Sequence, residues 1–133
     1  MQEFESINWQ EHTLVYIIRA GLSPASTTFL TPDEFNFQLG FVVYPAGGEV
    51  KRHLHKKLVR HIVGTSEVIM VRTGQCEIDI YNDDRELIAT RRLGVGDLVL
   101  TVNGGHSFRM QEDTVLLEVK QGPYTGTDEK EQF

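Results

Sequence analysis

Apolar residues in this chain recur mostly at every second position, the spacing that sends side chains alternately to the two faces of a β-strand. Period-two segments rich in Val, Ile, Leu, Phe and Tyr cover residues 14–19, 35–44, 58–63, 67–72, 76–81, 86–93, 97–102 and 114–120. Turn-forming runs separate them: Pro45-Ala46-Gly47-Gly48, Gly64-Thr65, Thr73-Gly74, Asn82-Asp83-Asp84, Gly94-Val95-Gly96 and Asn103-Gly104-Gly105. Eight or more short strands at this spacing predict an all-β fold, as a sandwich, barrel or jelly roll with little helix. Residues 3–11 suit a helical turn or two anchored by Phe4 and Trp9. Residues 122–133 lose the alternation and read as a tail that Phe133 can hold down.

Composition narrows the function classes. A chain of 133 residues suits one domain that buries roughly two thirds of its unfolded surface. The net charge of −6 argues against a surface that tracks phosphates, so no nucleic-acid partner is expected. Lys51-Arg52 and Arg91-Arg92 read as solvated strand ends. Cys76 is the lone cysteine and is expected to be a small buried hydrophobe. With no secretory leader and no apolar run near twenty residues, the expectation is a cytoplasmic protein with no membrane partner.

The chemistry is concentrated in the histidines. His53 and His55, spaced i, i+2, would share one face of a strand with Cα atoms about 7 Å apart. A third donor from elsewhere, such as His106 in Asn103-Gly104-Gly105-His106, would complete a metal site. Imidazoles with open coordination positions are more often catalytic than structural, and Zn, Fe, Mn and Ni all accept such donors. The bland alternative is a pair of partly exposed strand residues. His61, about 26 Å along a continuous strand from His53, is expected at a rim or surface, and His12 lies outside both motifs.

These residues also resemble a known family. Gly48-Glu-Val-Lys-Arg-His53-Leu-His55, followed by Glu67-Val-Ile-Met-Val-Arg-Thr-Gly74, looks like the first motif of the cupins, and Gly96-Asp97-Leu-Val-Leu-Thr-Val-Asn-Gly104-Gly105-His106 looks like the second. The resemblance covers roughly residues 40–120. It implies a single-domain cupin jelly-roll β-barrel over about 35–121, preceded by an N-terminal strand segment, 1–34, and followed by the tail. It further implies one divalent ion held by His53, His55, Glu67 and His106. Three features depart from the family. Eleven residues, Lys56 to Ser66, separate His55 from Glu67. They either loop out or extend a hairpin, which would carry Glu67 about 20 Å from His55. Val102 stands where the family favours proline, with the histidine one residue early, and Met110 where asparagine is common.

Other polar residues are candidates for a pocket. Glu118 and Lys120 share one face of the last strand; if it points inward, Glu118 is a general base and Lys120 an anion contact, and otherwise they form a weak surface ion pair. Tyr44 is a candidate acid, and Arg60 and Arg109 are candidate substrate contacts. Glu118-Val-Lys-Gln-Gly-Pro-Tyr124 resembles, more loosely, the end of small bacterial cupins linked to surface-polysaccharide metabolism. The resemblance implies a metal-dependent enzyme, of isomerase or epimerase type, on a sugar or sugar-derived acid. The alternatives are an Fe-dependent dioxygenase and a non-catalytic ligand-binding or sensing module. A homodimer is expected, with the strand around Leu14 to Arg19 adding to a partner's sheet.

Overall fold

Ten strands and one short 3-10 turn make up the regular structure of residues 2–133, those the computed structural model describes. The strands are β1 (Phe4–Trp9), β2 (His12–Ile18), β3 (Thr28–Phe29), β4 (Gly40–Phe41), β5 (Glu67–Thr73), β6 (Cys76–Tyr81), β7 (Leu87–Leu93), β8 (Leu98–Thr101), β9 (Gly105–Met110) and β10 (Val115–Lys120). The 3-10 turn covers Gly126–Glu129. All pairings are antiparallel, in a five-stranded sheet of order β1-β2-β8-β5-β10, a three-stranded sheet β7-β6-β9 and the β3-β4 pair. The all-β expectation holds. The sheets are open, and the described strands close no barrel.

The chain divides into two compact units, Met1–Leu22 with Thr65–Phe133, and Ser23–Gly64. In the first, the two larger sheets share one core. Ile17, Val99 and Ile69 stand in register across β2, β8 and β5. With Val15 and Val71 they pack with Cys76, Ile78, Ile80 and Leu93 of the smaller sheet. Fully burying each large aliphatic side chain contributes about 1.5–3 kcal/mol, which makes this cluster the main source of the unit's stability. At the β1 and β7 edges the layers are joined by charge: Arg91 donates from Nε and Nη2 to the Glu5 carboxylate at 2.7–3.1 Å. That partnership holds the Glu5 carboxyl below the usual range.

Residues 3–11 form β1 and its turn rather than helix. Their alternation buries Ile7 opposite Val15, and Gln10, at φ 55°, turns the chain back into β2. β9 is a strand where the sequence suggested only a turn. Two glycines make corners between the sheets. Gly74 (φ 90°) passes the chain from β5 to β6, and Gly104 (φ 72°) from β8 to β9. A Cβ on Gly74 would strike the Asp113 carbonyl oxygen, and one on Gly104 that of Tyr81. Asp97 holds a third crossing, from β7 to β8, by accepting the N–H groups of Ala20 and Gly94 at 2.9 and 2.8 Å.

The unit Ser23–Gly64 departs most from expectation. Of the strand expected over 35–44 only Gly40–Phe41 forms, paired with Thr28–Phe29, and residues 42–64 contain no strand. The apolar positions there lack a partner sheet to bury them: Val59 and Val63 are 104% and 79% exposed. The segment before them is organised by one side chain instead. Gln38 Nε2 donates to the carbonyls of Pro32 and Phe35, both at 2.9 Å, and its Oε1 accepts from Thr31 Oγ1 at 2.9 Å.

Candidate functional site

The register of the five-stranded sheet decides which way the polar residues of its last two strands point. Glu118 pairs with Ile69, and Lys120 pairs with Glu67, which in turn pairs with Thr101. Because Ile69 faces the core, Glu67, Glu118 and Lys120 face the same way. Two rows across the sheet therefore begin apolar and end polar: Ile17, Val99, Ile69, Glu118, and Val15, Thr101, Glu67, Lys120. On the opposing sheet His106 pairs with Ile80 and Phe108 with Ile78, so His106 also sits on the core-facing side. Its ring meets the edge of Phe108 at a centroid distance of 5.7 Å.

The result is a polar rim where the β10 and β9 edges approach. Glu67 Oε1 lies 3.5 Å from His106 Nε2, with the two side chains 13% and 25% exposed. Burial raises the Glu67 carboxyl to about 7, helped by a hydrogen bond with Glu118 and the nearby Glu118 charge. Glu118, the more open of the two, is held below the usual range by the hydrogen bond it accepts from Glu67. Burial lowers His106. The raised carboxyl and the lowered imidazole both favour an uncharged Glu67–His106 contact over an ion pair. An arrangement of this kind can accept, hold and return a proton.

Lys120 bridges the rim to the tail. Its Nζ lies 2.8 Å from Glu129 Oε1 and 3.9 Å from Glu118 Oε1. Nothing in the sequence marks Glu129, because the tail carries no periodicity to orient it. Arg109, a candidate substrate contact, is committed elsewhere. It pairs across strands with Glu77, on the face opposite His106, where it binds Asp79 through both Nη atoms while Thr90 Oγ1 donates to Asp79 at 2.6 Å. The structure does not bring Arg109 to the His106 rim.

His53, His55, Tyr44 and Arg60 belong to the unit Ser23–Gly64, and all are exposed. The two histidines are not on a strand. Their rings meet edge to face at a centroid distance of 5.1 Å. The extended-hairpin alternative for residues 56–66 falls away, since no strand forms there. His53 Nδ1 lies 2.8 Å from the Lys51 carbonyl, which can only accept, so Nδ1 is the donor in this contact. Backbone orientation of this kind is what metal-ligating imidazoles use.

Both donor pairs have dimensions that suit a divalent ion. Ligands on bonds of about 2.1 Å at a tetrahedral angle stand about 3.4 Å apart, and two such imidazoles have ring centres about 5 Å apart. The Glu67–His106 separation, 3.5 Å, matches the first, and the His53–His55 centroid distance, 5.1 Å, the second, although the latter is an edge-to-face ring contact and not a pair of converging nitrogens. Among the described residues, no group of three or more His, Cys, Asp or Glu is gathered to hold an ion. No protein-family model, curated protein or solved structure matches this chain. No helix of the described residues is long and apolar enough to cross a membrane.

Proposed function

We propose that this chain is a metal-binding, cupin-type jelly-roll protein of the cytoplasm that catalyses isomerisation or epimerisation of a sugar or sugar-derived acid. The observation that carries the reading is the meeting of Glu67, Glu118 and His106 on the core-facing rim, with an imidazole nitrogen 3.5 Å from a carboxyl oxygen. Proton transfer next to a carbonyl needs one group to take a proton and another to return it. His106 Nε2 and the Glu67–Glu118 pair are suited to those two parts, and Lys120 supplies a positive charge for an acidic substrate. The divalent ion that the resemblance implies would polarise the substrate oxygen when bound; when it takes Glu67 and His106 as ligands, Glu118 is the group left to move the proton. The linkage to surface-polysaccharide metabolism rests on the likeness of Glu118 to Tyr124 alone.

Elemental analysis of protein purified without added metal, compared with His53→Ala and His106→Ala, tests the reading. Loss of metal from either variant is expected. Unchanged content in both would defeat the ligand assignment.

A homodimer belongs to the same reading, although not by the route the sequence suggested. β2, which holds most of residues 14–19, is an inner strand between β1 and β8 and has no free edge to offer. The free edge that fits is β10, where Val115, Leu117 and Val119 are exposed. An antiparallel repeat about Leu117 would place Val115 of one copy beside Val119 of the other on a single face.

A further inference from the structure

The chain beyond β10 crosses the same rim. It leaves β10 at Lys120, where the Gln121 side chain accepts the Ser66 N–H at 2.9 Å. It ends with Phe133 packed edge to face on Tyr81 of β6 at 5.1 Å. The Phe133 ring also covers Gly105, the neighbour of His106, where a Cβ would meet it at 3.1 Å. Between these anchors, the 3-10 turn inserts Glu129, whose side chain is 11% exposed, against a Lys120 side chain that is 22% exposed. The Lys130 charge is felt by Glu67, Glu118 and His106 alike.

We infer that Glu129 is a built-in ligand: its carboxylate occupies the anion position at Lys120, and a small carboxylate-bearing molecule binds by displacing it and lifting the segment 121–133 from the rim. The inference rests on reading the rim as a small-molecule site and names the group on the ligand that the site selects. The geometry favours exchange over permanent closure. Glu129 is shielded, whereas the outer anchors are open: Phe133 is 59% exposed, and Glu131, paired with Arg85 at 2.9 Å, is 81% exposed. Exposed pairs of that kind hold weakly. A strap fixed by one good contact at Lys120 and lighter ones beyond it comes away when that contact is taken by a competitor. An acidic residue on a short tether competes at an effective concentration in the millimolar range, so its removal strengthens binding of a free carboxylate.

The test uses the full chain with chelator present, which separates its outcome from the metal reading. Binding of D-glucuronate and of malonate, with D-glucose as the neutral control, is measured by calorimetry. Hydrogen exchange of residues 121–133 is followed in the same samples. In the wild type, a bound carboxylate is expected to speed exchange in this segment, while glucose changes nothing. Glu129→Gln is expected to exchange fast there from the start and to bind the carboxylates about tenfold more tightly. Phe133→Ala, which loosens the far anchor without touching Lys120, should shift both readouts in the same direction by a smaller factor. Lys120→Met should lose carboxylate binding. Equal affinity in wild type and Glu129→Gln, a segment that stays protected with carboxylate bound, or no carboxylate binding to any variant would each overturn the inference. Loss of metal binding in the histidine variants, or its persistence, bears on neither outcome.

Discussion

Glu67 and His106 stand on strands of different sheets, yet the register of both sheets turns them toward one another, carboxyl oxygen to imidazole nitrogen at 3.5 Å. The buried side of the sheet pairing continues straight into this contact. Its chemistry is therefore tied to the packing of Ile69 and Ile80 beside it.

The raised Glu67 carboxyl makes stability depend on pH in a definite direction. Its folded value of about 7 lies above the ordinary 4.5, so between these values the folded chain binds more proton than the unfolded one. The contribution is fully present below about 4.5 and is lost as pH rises through about 7. In metal-free protein, the stability of the wild type relative to Glu67→Gln should fall from pH 5 to pH 8, leaving the variant ahead by roughly 1 kcal/mol at pH 8, a value reduced for solvent screening. A difference between the two proteins that does not change with pH would sink the assignment.

Metal should stabilise the folded chain through its donors. At a free Zn²⁺ or Mn²⁺ concentration about a hundred times its Kd, the gain is about 2.7 kcal/mol, visible as a rise in Tm. The rise should vanish in His53→Ala and in His106→Ala, and survive in His61→Ala. A full rise in all three would show that the ion binds elsewhere.

Asp79 offers a contrast on the other face of the small sheet. It is buried, and it holds Arg109 and Thr90. Asp79→Ala leaves the Thr90 hydroxyl without its acceptor and Arg109, half exposed, with Glu77 at 3.6 Å, and should cost about 1–2 kcal/mol in chemical denaturation. Metal content and carboxylate binding should be unaffected, since the network faces away from His106. A loss of either in a folded Asp79→Ala protein would contradict that placement.

The corners between the sheets should be intolerant of any side chain. Gly104→Ala combines a positive φ with a collision against the Tyr81 carbonyl oxygen, and a cost of 2 kcal/mol or more is expected by thermal denaturation. Gly47→Ala, at φ 84° but with open space around the added Cβ, should cost about half as much. Equal losses would mean that the Tyr81 contact adds nothing.

Assembly is checked by light scattering after size exclusion. The wild type is expected as a dimer at micromolar concentration, and Leu117→Lys, which puts a charge at the centre of the β10 edge, as a monomer. A monomeric wild type would remove the dimer.

Much of the fold could be read from alternation alone. β6 has the same bounds in sequence and structure, β5, β7 and β10 differ by one residue at one end, and β8 by one residue at each end. The failures share a cause. Residues 35–44 and 58–63 alternate as well as β6 does, but a strand needs a partner, and pairing is not a local property. β9 was hidden because its glycine, histidine, serine and arginine gave polar positions on both faces, and β1 because Phe4 and Trp9 lie too far apart to outline a period. At the site, His106 and Glu67 could be named from motif likeness. That Glu118 and Lys120 face inward depends on their pairing with Ile69 and Glu67, which no single strand reveals.

The sheet order β1-β2-β8-β5-β10 interleaves distant parts of the chain, and this bears on how the protein comes into being. Non-local pairings of this kind are slow, on the scale of milliseconds to seconds, because long loops must close before any ladder rewards them. Translation must pass Lys120 before β5 gains its outer neighbour. Until then the β5 edge is bare, and Glu67 has neither Glu118 nor Lys120 beside it. The rim is thus the last part of the sheet to be made on the ribosome, and a chain halted short of residue 115 would carry a core without its chemistry.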